Sequence, residues 1–350
     1  MTPATPERAV AKQSEPERRS ASAAERRGNP TDSLPVSAAE ATNFWTSRRV
    51  VVTGGTGFLG SFITRQLQAS GAHVAALGRG DYDLVEQADV RRMYADLRPE
   101  VVVHAAAACG GIGANLANPG HFLHANAAMG LHLVEEARRH GSPRFILIST
   151  TCAYPEAAPI PLREATLEDG PPTAVTGPYG LAKRLLHTAL AAHHTQYGLP
   201  GVVLIPANLY GPGDHFEPQN SHVIAALIRR FVEATEQGAA SVTCWGTGTP
   251  TREFLHVADA ARAVALVGAR APDPAPINLG TGVETPIREL AAQIAQAAGF
   301  KGDILWDASK PDGQPRRSLD VSRARALGFE ASVGLAQGLA ETVAWFRGRR

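Results

Sequence analysis

A run of valines ends in a glycine-spaced turn: Val50-Val51-Val52-Thr53 leads directly into Gly54-Gly55-Thr56-Gly57-Phe58-Leu59-Gly60. Glycines at 54, 57 and 60 permit a tight reversal and let the backbone come close to a bound group. A helix opening at Phe58 would point its free N–H groups and the positive end of its dipole at phosphate oxygens. A glycine triplet alone says little. Set between a buried strand and a helix, it predicts a dinucleotide-binding βαβ unit.

The chain after this turn keeps the same rhythm. Further strands are predicted at 73–77, 101–103, 145–148 and 202–205, and helices at 58–68, 86–97, 119–140 and 179–197. Strands alternating with helices predict an α/β fold, a doubly wound parallel sheet of the Rossmann type. Residues 47–210 are expected to form that domain, completed by parts of 242–280. Residues 211–241 and 281–350 are expected to form a smaller C-terminal substrate-binding lobe over the strand ends. Residues 1–46 carry Pro, Ala, Ser, Arg and Glu and almost no large apolar side chain before Phe44 and Trp45. They read as a disordered tail, too poor in apolar surface to order itself.

Composition removes several function classes. A net charge of +1 argues against a nucleic-acid or polybasic membrane partner. No apolar run approaches the ~18 residues of a membrane span, and no secretory signal is evident. The three cysteines, Cys109, Cys152 and Cys244, have no metal-like spacing. No metal is expected, and so sparse a set suits a reducing cytoplasm.

Two local features point to a nicotinamide enzyme. At the end of strand two, Arg79 precedes Asp81 in Leu77-Gly78-Arg79-Gly80-Asp81. Arginine there suits the 2′-phosphate of NADP, whereas a carboxylate suits the ribose hydroxyls of NAD; NADP(H) is the expected cofactor. Tyr179 and Lys183 form YxxxK, which places both on one helical face. A nearby ammonium stabilises phenolate, so the pair predicts a tyrosine acid/base of lowered pKa. Of 34 basic residues only Lys12, Lys183, Lys301 and Lys310 are lysine. Arginine could not titrate at position 183, which gives that retained lysine a reason.

Ser149-Thr150-Thr151-Cys152-Ala153-Tyr154-Pro155 follows strand four. With the glycine turn and YxxxK it resembles the extended short-chain dehydrogenase/reductases. Further stretches resemble the GDP-L-fucose synthases among them. These are Cys109-Gly110-Gly111-Ile112-Gly113-Ala114-Asn115, Asn208-Leu209-Tyr210-Gly211-Pro212, Asn220-Ser221-His222-Val223-Ile224, the run Trp245 to Val257, and Lys310-Pro311-Asp312-Gly313. They run in order from about residue 50 to 330, and the tail lies outside them.

The resemblance implies NADPH-dependent epimerisation at C3 and C5 and reduction at C4 of GDP-4-keto-6-deoxy-D-mannose. It implies Thr150, Cys152, Tyr179, Lys183 and His222 as catalytic residues. Cys152 and His222 would exchange the sugar's α-protons, and Thr150 and Tyr179 would contact the C4 oxygen. It implies cofactor contacts from Gly54, Thr56, Gly57, Phe58, Leu59, Gly60, Arg79, Tyr179, Lys183 and His222. Asn208, Arg230, Trp245, Arg252 and Lys310 are the expected substrate contacts, guanidinium forks being suited to diphosphate. It further implies a homodimer built on the helices at 119–140 and 179–197, where Leu181, Leu185, Leu186 and Leu190 exceed what one buried face needs. Cys109 and Cys244 are expected to be structural, and His104 to pack near the cofactor without doing chemistry. Thr150 stands where these synthases commonly carry Ser, which keeps the hydroxyl and adds a methyl to the pocket.

Three other readings compete. A 4,6-dehydratase would need an acid where Cys152 stands. A related epimerase or 4-keto reductase would make a different deoxysugar. A non-catalytic NADP-binding protein would need the glycine turn but not Thr150, Tyr179 and Lys183.

Overall fold

The computed structural model describes residues 43–217 and 221–349. The expectation of a disordered tail falls on residues outside that range as far as 42. Its end at residue 46 does not hold. Trp45 is 1% exposed, packs in the main core and donates its indole N–H to the Ala265 carbonyl at 2.9 Å. An indole this deeply buried brings a large apolar payload with its one polar atom satisfied. Trp45→Ala is therefore expected to cost about 3–5 kcal/mol. A urea midpoint unchanged from the parent would refute that.

The strands of the main sheet are β1 (Arg49–Thr53), β2 (His73–Leu77), β3 (Val101–His104), β4 (Arg144–Ile148) and β5 (Gly201–Pro206). Between them run helices α1 (Phe58–Ala69), α2 (Gln87–Leu97), α3 (Ile112–Ala117), α4 (Pro119–Arg139) and α5 (Gly177–Tyr197). The later elements are β6 (Asn208–Tyr210), α6 (Val223–Glu236), β7 (Ser241–Trp245), β8 (Thr251–His256), α7 (Val257–Arg270), β9 (Pro276–Leu279), β10 (Glu284–Pro286), α8 (Ile287–Ala297), β11 (Asp303–Asp307), α9 (Ser322–Ala326) and α10 (Leu335–Arg347).

Six strands form one sheet in the order β2-β1-β3-β4-β5-β9, every pairing parallel. The predicted doubly wound sheet is thus the observed one. Its central strands read as unbroken apolar runs because both faces are covered. Val50 to Val52 and Val101 to Val103 are all buried. α1 packs with α7, and α4 with α5. The order changes direction between β1 and β3, so the crevice beyond their C-terminal ends is where such a sheet takes a ligand.

Within 242–280 only β9 enters this sheet. β8 lies between β10 and β6 in a three-stranded sheet, and β7 pairs with β11. These strands, with α6, α8 and α10, enclose a second core around Phe231, Ile228, Leu290 and Ile294. The short helix α3, which begins within the segment 109–115, has no counterpart in the sequence reading.

Candidate active site

The glycine turn is built for close approach. Gly54 has φ +67°, and a Cβ on it would lie 2.9 Å from the backbone of Ala106. A Cβ on Gly60 would lie 2.0 Å from the Gly54 carbonyl oxygen. Gly57 is the N-cap of α1 and makes no side-chain capping bond, so the first N–H groups of that helix are left for a ligand. Thr56 and Gly57 are exposed on the turn, with Phe58 and Leu59 half-buried behind them. Beneath it, Thr53 Oγ1 and His104 Nδ1 share a 2.9 Å hydrogen bond that ties β1 to β3. Burial holds the His104 ring well below its usual pKa, so it stays neutral and structural. The cradle fits a pyrophosphate, the residues expected to hold it being where the backbone opens.

At the end of β2, Asp81 turns back and accepts the Gly78 N–H at 2.7 Å. Arg79 remains exposed.

Thr150, Cys152, Tyr179 and Lys183 converge beyond β4. Thr150 caps a single 3₁₀ turn, Thr151–Ala153, its Oγ1 accepting the Cys152 N–H at 3.1 Å. Tyr179 lies close enough to Thr150 for the threonine hydroxyl to favour its phenolate form. α5 begins at Gly177, so Tyr179 and Lys183 lie in its first two turns. Gly180 permits the approach: a Cβ there would sit 2.2 Å from the Cys152 carbonyl oxygen. Sequence reading passed over Gly180, although it stands inside YxxxK.

The electrostatics correct one expectation. The phenol of Tyr179 is not acidified. Burial drives its pKa well above 10, the Cys109 and Cys152 thiols push the same way, and the Thr150 hydroxyl opposes them. Lys183 is buried, and its ammonium donates to the Ile148 carbonyl at 3.0 Å rather than to the phenol. Burial lowers the Lys183 pKa to about 8, against a smaller opposing effect of Cys109. Desolvation is the largest cause of both shifts.

Cys109, expected to be structural, belongs to this cluster through its interactions with Lys183, Cys152 and Tyr179. It follows β3 as Cys152 follows β4, and those strands are neighbours. Its neighbour Ala108 is clamped by Asn126, which accepts its N–H at 3.0 Å and donates to its carbonyl at 2.8 Å. Cys244 is buried in β7, as a packing residue would be.

His222 is carried by a different element from the cluster. It is exposed at the N-cap of α6 and interacts with the buried Asp214. Asn220, from the same motif, lies outside the described residues.

The expected substrate contacts form a second group on the smaller lobe. Arg230 donates to the Thr243 carbonyl at 2.7 Å, on the strand that carries the exposed Trp245. Asp312 accepts both the N–H and the hydroxyl of Thr247 at 2.7 Å, so the loop with exposed Lys310 is tied beside Trp245. Arg252 lies alongside Gly313 of that loop. Burial lowers the Arg252 pKa, and the nearby Arg317 guanidinium adds to the effect. Asn208 is exposed on β6 and donates to the Glu253 carbonyl at 2.9 Å. Among the described residues no cluster could hold a metal ion, and no helix is long and apolar enough to cross a membrane.

Residues 50–280 match the model of a family described as the NAD dependent epimerase/dehydratase family. The chain is 40% identical over 309 residues to the GDP-L-fucose synthase of Escherichia coli K12, covering 85% of this chain and 96% of that one. It is 38% identical over 301 residues to GDP-L-fucose synthase 1 of Arabidopsis thaliana, covering 86% and 93%. A crystal structure of a GDP-L-fucose synthetase from Naegleria fowleri bound to NADP superposes with a TM-score of 0.80 at 27% identity, covering 87% of this chain and 95% of that one.

Proposed function

This chain belongs to the NAD dependent epimerase/dehydratase family and, within it, to the GDP-L-fucose synthases, and from that premise we propose that it converts GDP-4-keto-6-deoxy-D-mannose to GDP-L-fucose with NADPH. The observation that carries the reading is the meeting of a thiol, a phenol, a hydroxyl and a buried ammonium beside the phosphate cradle.

The C4 ketone acidifies the protons on C3 and C5. Inverting each centre takes a proton from one face and returns one to the other, so two groups must flank the sugar. Cys152 and His222 are assigned that exchange; they stand on separate elements, one in each lobe. Bound NADPH supplies hydride to C4. Tyr179 gives the developing alkoxide its proton, with Thr150 donating a hydrogen bond to the same oxygen. The raised Tyr179 pKa suits this direction, because a general acid must arrive protonated. Lys183 is assigned to the nicotinamide ribose as well as to the local field. Arg230, Arg252 and Lys310 are assigned to the nucleotide diphosphate, Trp245 to its base and Asn208 to the sugar.

The direct test incubates the protein with NADPH and the 4-keto sugar and reads product stereochemistry by NMR. The reading requires inversion at C3 and C5 with reduction at C4. A product reduced at C4 with C3 and C5 retained would make the protein a 4-keto reductase.

Cofactor choice is assigned to Arg79. With Asp81 engaged by its own turn, Arg79 is left to meet a 2′-phosphate. Such a charge-assisted contact contributes about 1.5–3 kcal/mol. Arg79→Ala should therefore erode the preference for NADPH over NADH; an unchanged ratio of their dissociation constants would remove Arg79 from the site.

A second copy of the chain is assigned to the paired helices α4 and α5. Leu186 and Leu190 point into the core, but Leu181 and Leu185 are 48% and 44% exposed, and Leu123 and Leu131 of α4 also face solvent. Leucines left exposed on two packed helices mark an interaction surface. Light scattering should give a dimer at micromolar concentration and a monomer for Leu185→Glu. A monomeric parent would overturn the assignment.

A further inference from the structure

The turn that presents Cys152 is not held by its own strand alone. Arg317, in the loop that follows Lys310-Pro311-Asp312-Gly313, reaches back to donate through Nη2 to the Thr151 carbonyl. Its Nη1 donates to Gln314 Oε1 at 2.8 Å, and its Nε is buried without a hydrogen-bond partner. The peptide that Arg317 grips is the one joining Thr151 to Cys152. Its other end is also engaged, since the Cys152 N–H donates to Thr150 Oγ1. One residue further on, Arg184 of α5 donates through Nε to the Ala153 carbonyl at 2.5 Å and through Nη1 to the Gly170 carbonyl at 2.7 Å. Two guanidiniums therefore fasten the turn on either side of the thiol, one on the catalytic helix and one on the loop that carries the substrate contacts.

We propose that Arg317 is a positioning residue that seats the Cys152 thiol for α-proton exchange, coupling the substrate-binding loop to the epimerisation half of the reaction. The inference rests on the function proposed above. A peptide gripped at its carbonyl and at its N–H keeps one plane, and that plane sets where the Cys152 side chain leaves the backbone. The reducing groups depend on it less. Tyr179 and Lys183 stand on α5, and Lys183 is anchored separately to the Ile148 carbonyl. The arrangement also responds to the substrate. The Arg317 guanidinium lies close enough to Arg252 to disfavour the charge on Arg252. An anionic diphosphate at Arg252 relieves that repulsion and so favours Arg317 in its place on the turn. Nothing in the local sequence around Arg317 signals the role, which depends on a contact spanning 166 residues.

The test compares the parent, Arg317→Gln and Arg317→Lys on GDP-4-keto-6-deoxy-D-mannose. Exchange is read as deuterium entering C3 and C5 in deuterated water with oxidised cofactor. Reduction is read as NADPH oxidation in a single turnover, and NADPH affinity by fluorescence titration. A misplaced reacting group costs roughly 10²-fold. Arg317→Gln should lose that much in kcat for exchange, with a smaller rise in KM, NADPH affinity near the parent value and reduction much less affected. Arg317→Lys, which keeps a cationic donor, should recover part of the loss. Exchange at the parent rate in Arg317→Gln overturns the proposal alone. Exchange, reduction and NADPH affinity falling together also overturns it, because Arg317 would then only support the fold. No exchange by the parent protein overturns the functional reading itself, and this proposal with it.

Discussion

Tyr179→Phe should nearly abolish reduction and leave epimerisation running. The variant loses only the hydroxyl assigned to give the C4 alkoxide its proton, and removing a positioned general acid costs about 10²–10⁴-fold. NADPH oxidation should fall by that factor. In deuterated water with oxidised cofactor, deuterium should still enter C3 or C5, because the ketone still acidifies those protons and both flanking groups remain. The pH dependence of reduction in the parent adds a second check. Burial sets the Lys183 pKa at about 8, so its ammonium is present below that value and lost as pH rises through it. The phenol stays protonated well beyond that range. Reduction should therefore decline above about pH 8 through Lys183, with Tyr179 still in its acid form. A variant that reduces the ketone at the parent rate would remove Tyr179 from the mechanism.

Cys152→Ala should show the opposite pattern. It removes one of the two groups assigned to proton exchange and leaves Thr150, Tyr179 and Lys183 in place. Deuterium entry at C3 and C5 should fall by roughly the same 10²–10⁴, while slow reduction of the unepimerised ketone persists. The two variants together divide the reaction into halves that share a pocket and draw on different side chains. If Cys152→Ala exchanges deuterium at both carbons as fast as the parent, the thiol is no acid/base, and the protein is better read as a 4-keto reductase. Cys109 makes the control informative. It lies in the same electrostatic cluster, so Cys109→Ser with Cys152 intact shows whether one particular thiol carries exchange.

Much of the fold was legible because its signals are local. Val50 to Val52 and Val101 to Val103 read as buried strands from composition, and the glycines at 54, 57 and 60 encode a turn whose geometry few other residues could take. YxxxK declared its shared helical face through spacing alone, and the helix duly opens at Gly177. The turn after β4 was legible as a motif, Thr150 to Tyr154, and its cap proved to be Thr150 itself. These features are decided within a few residues, by backbone sterics and by the period of a strand or helix.

What the tertiary structure decided was which groups meet and how dry they are. Cys109 offers no local sign that it stands near Tyr179; the adjacency of β3 and β4 puts it there. The acidity of Tyr179 reversed direction because desolvation depends on everything packed around the ring, while the helical spacing of its lysine sets only proximity. Trp45 passed for the end of a tail until α7 supplied the Ala265 carbonyl that its indole needs. Arg317 reads as one more basic residue in an arginine-rich chain, and only the approach of its loop to β4 turns it onto Thr151. A periodic pattern specifies an element and its buried face; burial and long-range contact follow from how elements distant in sequence pack on one another, and no local period records that.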